Sequence, residues 1–535
     1  MSDQNLKNKV VVIGLDGSSW DLVKPLVEQG KLPNIKKIMN TGVSTVMRST
    51  MPSHSAPAWT TFATGVNPVE HGCLDFLVVR DDIDDLDIID STKIKQNTIY
   101  EMMVRGGRTP ILINLPNTFP PKLKNNITIT SLMTRGDKYI YPETLKEKYP
   151  ELKQYRLSPN PKLRMTDNLE PYINDLCKLE EERIAGVKQL FLHEPWDFFF
   201  YLCSGTDWVG HVAYDKALYE HYEPALRMWY IMDEFIGWVI QRMNKDTTLF
   251  VMSDHGFKTY QQQFFINRWL EENNYLTTTY GEGSFHQSHS KLSREIAKAQ
   301  GKRKKIKIGK TIRSLLATSS TLEKLAKWLY FKIIKKFVPI SVSMDLRLDL
   351  KHTKVAFPRG SMASLLYIND EARFIQGIVK PEEKATLIRG LKQDLIKIKD
   401  KHGKQVVKNV YTKEELYGAK GIKTAPDLFI EEGDYYLSGS LHSAALFEKK
   451  AKNYHANDGM LLAYGNGITH RDINSTDIIN MAPTILQAMQ LPLHPQFGGN
   501  VMDIFAPNTN FTQSQIVKST KRSSELDNII NELIL

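Results

Sequence analysis

Short apolar runs punctuate the first half of the chain: VVVIGLDG over residues 10–17, TPILINLP over 109–116, DFFFYLC over 197–203 and TTLFVMSD over 247–254. Runs of this length with no polar alternation read as strands buried on both faces. Stretches with helical spacing separate them, among them ERIAGVKQLFLH and the long 219–243 segment. Strand, helix, strand alternation predicts an α/β fold whose central, mostly parallel sheet is flanked by helices. In such sheets functional groups gather in the crevice outside the strand carboxyl ends. Two of the four runs end there in an acid, Asp16 and Asp254.

After Phe257 the pattern changes. A polar stretch and a lysine-rich segment lead to a strand SMASLLYIN, a helix around 382–399 and a strand APDLFIE. The core pattern returns as DGMLLAYGNGI, followed by a helix over 476–490 that contains Pro483. The expected organisation is therefore a core split by an insertion. Residues 1–260 form the first part of the catalytic core, 261–345 a basic amphipathic insertion, and 346–435 a small α/β cap-like unit. Residues 436–510 complete the core, and 511–535 form a C-terminal tail or helix.

Composition narrows the class. The 535 residues are 41% hydrophobic and 24% charged, enough for a large core or several domains. Three cysteines, Cys73, Cys177 and Cys203, exclude a disulfide framework or a cysteine metal cage and point to a reducing compartment. The first apolar run, over residues 10–13, is too short for a signal-peptide core, and no window reaches 18 apolar residues. A cytoplasmic protein, peripheral to the membrane at most, is expected.

Candidate chemistry lies in a scattered set of acids and histidines: Asp16 in GLDG, Asp207 and His211 in TDWVGH, Asp254 and His255 in SDHGF, and His455 in HANDG, which precedes its strand. Carboxylate oxygen with imidazole nitrogen suits zinc or manganese, and six such groups suffice for two divalent ions. Singly, a strand-end Asp is more often a helix cap and a lone His a hydrogen-bonded group. Adjacent Asp254 and His255 can face one ion only from a turn. A second element, MPSHSAPAWTTFATGVNPVEHG over residues 51–72, interleaves hydroxyls with Pro and Gly and reads as a turn entering a helix. The free N–H groups of a helix N-terminus suit a phosphate.

The order GLDG, S-x-P-A-W with TG-x-x-P-x-x-HG, D-x-x-x-H, SDHG and a late H-x-x-x-G resembles the alkaline phosphatase superfamily, in particular its type I phosphodiesterase/nucleotide pyrophosphatase branch. The resemblance covers most of the chain and extends to FPRG at Phe357 and to DIINMAPTIL. It implies one metal on Asp207, His211 and His455, and a second on Asp16, Asp254 and His255, with Ser55 at the nucleophile position beside it. His442 competes with His455; the H-x-x-x-G spacing to Gly459 favours His455. Ala58 stands where the branch has an Asn that holds a phosphoryl oxygen. The implied activity is hydrolysis of phosphoric mono- or diesters through a phosphoserine, on a small-molecule or lipid-linked phosphate ester. Two alternatives stay open: phosphoryl transfer or mutation, where an alcohol replaces water, and a catalytically silent relative that binds membranes or polyanions.

The formal charge of +10 is local. Residues 291–337 hold fifteen Lys and Arg against two acids, so the remaining chain is net −3. Within this segment Ser320 and Glu323 form a capping-box pattern. Beyond them Leu322, Leu325, Leu329 and Ile333 fall on one helical stripe, with lysines on the other faces. The 320–337 helix either packs on the core or seats the enzyme on an anionic membrane. Nucleic acid fits less well, because GKRKKIKIGK lacks interleaved aromatics. Membrane seating predicts co-sedimentation with anionic but not neutral vesicles, lost when Leu325, Leu329 and Ile333 become Ser.

Overall fold

In a computed structural model of the protein, residues 7–281 and 345–507 are described, apart from 167, 359 and 444. A nine-stranded sheet forms the centre. Its spatial order is Thr476–Asp477, Val43–Arg48, Asp458–Gly465, Thr247–Met252, Lys9–Leu15, Phe198–Cys203, Pro110–Ile113, Thr128–Ile129 and Ile140–Tyr141. Lys9–Leu15 pairs in parallel with Phe198–Cys203 on one side and Thr247–Met252 on the other. The sheet is mostly parallel; Asp458–Gly465 and Ile140–Tyr141 run antiparallel to their neighbours. All four apolar runs singled out above are strands of it.

Strand alternation divides the core in two. Val11, Ile13 and Leu15 face the layer of helices Trp20–Glu28, Pro33–Thr41, Glu170–His193, Gly205–Tyr219 and Glu223–Ile240. Val10 and Val12 face helices Ser55–Thr64, Ile99–Arg105 and Met481–Ala488. Both faces being covered explains why these strands carry no polar alternation.

Two helices differ from expectation. The 219–243 segment is interrupted: one helix ends at Tyr219, His221 takes a positive φ of 52°, and the next starts at Glu223 with Pro224 in its first turn. Pro is favoured in that first turn because its missing N–H costs nothing there. The 476–490 helix starts only at Met481, because Thr476 and Asp477 pair with the edge of the sheet. A separate four-stranded sheet, Val355–Ala356, Leu365–Ile368, Leu428–Glu432 and Val407–Thr412, packs with helix Pro381–Ile396 around a third apolar cluster. The lysine-rich 291–337 segment, with the 320–337 helix, and the 511–535 tail lie outside the described residues. Among the described residues no helix is long and apolar enough to cross a membrane.

Helix Ser55–Thr64 approaches the sheet where Gly14 leaves a gap. A Cβ there would lie 2.6 Å from Leu202 Cδ1 and 2.8 Å from Trp59 Cη2. Trp59 is fully buried and meets Phe62 and Phe200 edge to face, each with ring centroids 5.5 Å apart. This contact sets the height of the helix that carries Ser55. Overpacking a filled core costs about 1–3 kcal/mol, and removing a buried Trp about 3–5 kcal/mol. Urea unfolding should show losses in those ranges for Gly14→Ala and Trp59→Ala, the second larger. A Gly14→Ala protein as stable as the parent would mean that helix and sheet do not touch this closely.

Candidate active site

Asp16 ends the central strand, and Gly17 behind it turns the chain with a φ of 69° that favours glycine. The Gly17 N–H donates to Asp254 Oδ1 at 3.3 Å. Asp254 and His255 occupy the bend between Thr247–Met252 and Gly256–Tyr260, the turn that lets neighbouring residues face one point. His255 Nδ1 donates to the Gly256 carbonyl at 3.0 Å, which leaves the Nε2 lone pair facing inward. Nε2 then lies 3.2 Å from Ser55 Oγ, 3.5 Å from Asp16 Oδ1 and 3.4 Å from Asp254 Oδ2. Ser55 Oγ donates to Asp16 Oδ1 at 3.1 Å.

Asp207 and His211 sit four apart in helix Gly205–Tyr219, so they share a face. His455 precedes the strand Asp458–Gly465, as expected, and itself lies in a further strand, Lys452–Ala456, which pairs with Gly256–Tyr260 and sets His455 opposite Phe257. Asp207 Oδ1 is 3.4 Å from His211 Nε2 and 3.2 Å from His455 Nε2, and the two Nε2 atoms are 3.2 Å apart. His455 Nδ1 donates to the Ser53 carbonyl at 3.2 Å, and His211 hydrogen-bonds the Asn453 backbone. Two inward lone pairs at that separation repel unless something electrophilic lies between them.

The donor geometry fits a divalent ion. A tetrahedral ion with bonds of about 2.0–2.1 Å has donor–donor edges near ~3.3 Å. The edges around Asp207, His211 and His455 are 3.2–3.4 Å. Those measured from His255 and Ser55 are 3.1–3.5 Å. Asp207 Oδ1 and Asp254 Oδ2 are buried and accept no hydrogen bond. Asp207 also lies within reach of Asp16 and His255, so one carboxylate belongs to both groups.

Without a cation the site resists its own charge. Burial, then the charge of Asp254, raises the Asp16 carboxyl well above its usual range. Burial and Asp16 do the same to Asp207, while burial and Asp207 push Asp254 up to about 7. Burial lowers His255 to about 4 and holds His211 and His455 well below their ordinary value. Neutral imidazoles are the state that ligation needs, whereas the carboxyl groups would give up their protons to an arriving cation.

Ser55 is the first residue of helix Ser55–Thr64 and is buried at 7% exposure, with unshared backbone N–H groups at its end of the helix. Ala58, three residues after Ser55 on this helix, is fully buried in the apolar cluster with Trp59 and Phe62. His442 is exposed and outside both groups.

Sequence reading missed Phe257, whose ring centroid lies 5.1 Å from that of His211, 5.4 Å from His455 and 6.0 Å from His255. A Cβ on Gly17 or Gly210 would strike the same ring at 2.5 and 2.9 Å. It also missed His54, buried with Nδ1 unpartnered and packed edge-on against Phe76. The position of Phe257 directly after SDHG was the only available signal.

A mostly parallel α/β sheet with acids and histidines gathered beyond its strand ends defines an alkaline phosphatase-like enzyme fold. Residues 10–459 match the model of the type I phosphodiesterase / nucleotide pyrophosphatase family, and the chain belongs to that family of phosphoester hydrolases. No curated protein matches it in sequence. The chain is similar to the phosphonoacetate hydrolase of Sinorhizobium meliloti 1021 solved with phosphonoformate, at 13% identity and a TM-score of 0.52, covering 90% of this chain and 95% of that one. Murine ectonucleotide pyrophosphatase / phosphodiesterase 5 with AMP aligns at 14% identity and a TM-score of 0.49 over 94% and 100% of the two chains.

Asp207 is shared by both groups, so its neutral isostere should weaken metal binding most. Competition with a chelator should show at least ~10-fold weaker zinc affinity for Asp207→Asn and His455→Ala. Parental affinity in both variants would remove these residues from the metal site.

Proposed function

We propose that this protein hydrolyses phosphoric esters through a phosphoserine on Ser55, at a site holding two divalent ions, zinc or manganese. The observation that carries the reading is the inward Ser55 Oγ, 3.1 Å from Asp16 and 3.2 Å from His255 at a helix N-terminus. Asp207, His211 and His455 would hold one ion, and Asp16, Asp254 and His255 the other, next to Ser55. When bound, the ions supply positive charge to the phosphoryl oxygens and lower the pKa of bound hydroxyl and water.

Ser55 is placed to attack phosphorus in line, forming an Oγ–P bond as the ester P–O bond breaks. The Ser55 proton passes through water to the leaving oxygen. In the second step water attacks phosphorus, the Oγ–P bond breaks, and Ser55 Oγ takes up the proton given off by the attacking water as the phosphoryl product leaves. The helix start directs N–H groups at the developing negative oxygens. Gly17 and the Gly256 carbonyl hold Asp254 and His255 in place; an ion bound there would stabilise the Ser55 alkoxide and so reduce the need for a separate protein base.

Ser55→Ala should lower kcat on aryl phosphate mono- or diesters by about 10³-fold or more while leaving metal content at the parental level. Acid-quenched parent protein should carry a phosphoryl group on the peptide containing Ser55, read by mass spectrometry. Retained turnover in Ser55→Ala would sink the nucleophile assignment.

A further inference from the structure

The turn that delivers Ser55 is gripped from outside the central sheet. Tyr417 ends the helix Lys413–Tyr417, and its hydroxyl meets one residue of that turn twice. The Met51 N–H donates to Tyr417 Oη at 3.0 Å, and the hydroxyl donates in its turn to the Met51 carbonyl. A single phenol thus holds both main-chain polar groups of a residue just upstream of the nucleophile. The turn is also closed on itself, since Thr50 Oγ1 donates to the Pro52 carbonyl at 2.7 Å and Ser53 Oγ to the Thr50 carbonyl at 3.1 Å. On its other side His455 Nδ1 donates to the Ser53 carbonyl. The peptide entering helix Ser55–Thr64 is therefore clamped between a site histidine and Tyr417.

Tyr417 is itself fixed. Thr412 caps its helix: the Glu415 N–H donates to Thr412 Oγ1 at 3.2 Å, and the Thr412 N–H to Glu415 Oε2 at 2.7 Å. The Tyr417 ring meets Phe429 of strand Leu428–Glu432 edge to face, centroids 5.7 Å apart. Tyr417 thereby belongs to the unit built on the four-stranded sheet. Two further ties run from that unit to the chain beyond the nucleophile helix. The Ile422 N–H donates to the Val69 carbonyl at 2.8 Å. Asp75 Oδ2 accepts from Ser361 Oγ at 2.8 Å and from the N–H groups of Met362 at 2.7 Å and Ala363 at 3.2 Å. Phe76, next to Asp75, packs its ring on His54, next to Ser55.

The four-stranded unit therefore grips the 51–76 segment on both sides of the helix that carries Ser55. Packing already joins the two, because Val69 and Leu74 lie in the third apolar cluster. The Tyr417 bonds add direction to that packing. Ser55 Oγ must keep its place 3.1 Å from Asp16 and 3.2 Å from His255, both of which are set by the central sheet. A reacting group displaced by about 1 Å can cost on the order of 10²-fold in rate.

We propose that the four-stranded unit sets the position of the nucleophile, and that Tyr417 is the positioning residue through which it does so. This rests on the reading of Ser55 above and deepens it.

The test compares two hydroxyl deletions in the full-length, zinc-loaded protein on an aryl phosphate. Tyr417→Phe removes the clamp on Met51 and keeps the ring. Tyr435→Phe is the matched control, because the Tyr435 hydroxyl donates to Asp400 at 2.6 Å within the four-stranded unit and touches nothing in the 51–76 segment. Tyr417→Phe should lower kcat and the rate of acid-stable phosphoserine formation by about ten-fold or more, with KM within about two-fold of the parent and zinc content unchanged. Tyr435→Phe should stay within about two-fold of the parent in kcat. Ser361→Ala, which cuts a separate tie, should lower kcat by about two-fold or more at parental KM. Parental kcat in Tyr417→Phe overturns the proposal, and if that variant does not fold, parental kcat in Ser361→Ala does. So does a loss that follows zinc content, or one that Tyr435→Phe shares in full. A parent protein that forms no phosphoserine removes the reading of Ser55, and this proposal with it; a parent that forms it at the same rate as Tyr417→Phe removes this proposal alone.

Discussion

The site is governed by the repulsion among three carboxyl groups held out of water. Asp16, Asp207 and Asp254 are all buried, and each raises the proton affinity of another. Taking a carboxylate from water costs several kcal/mol unless an opposite charge meets it. A chain adopts such an arrangement only where the surrounding structure over-determines it. Here the surroundings do so from several directions: Asp16 ends the central strand, Asp254 the strand beside it, and Asp207 rises from a helix whose Thr206 donates to the Asp16 carbonyl at 2.6 Å. A cation held among them would relieve the repulsion that this arrangement creates.

The histidines suit such a cation in another way. Each of the three is hydrogen-bonded to the main chain, at Gly256, Asn453 and Ser53 respectively for His255, His211 and His455. Main-chain carbonyls do not titrate, so tautomer and ring orientation are set by the backbone fold. Phe257 packs against all three rings and fills the space that Gly17 and Gly210 leave open. One aromatic side chain thus ties the two halves of the site together.

What could be read from the residues alone was what short-range chemistry determines. An apolar run followed by an acid is a buried strand ending in a site residue, and both Asp16 and Asp254 were legible in that way. Asp207 and His211 were legible because a spacing of four is a helical spacing. The strand around His455 was not, since it exists only by pairing with Gly256–Tyr260, a partner some two hundred residues away. The helix break at His221 and the late start of the Met481 helix likewise depend on turn geometry and sheet-edge pairing that periodicity does not encode.

The strands Thr278–Gly281 and Asp345–Leu348 pair antiparallel, with Gly281 opposite Asp345. The two described ends on either side of residues 282–344 are therefore paired neighbours. Closing a loop costs entropy that grows only slowly with its length, and the ribbon has already met that cost within the body. Whatever segment is spliced between these two residues leaves the catalytic frame in register. The position is a socket: the distance between its two ends is fixed by the ribbon and not by the length of what joins them.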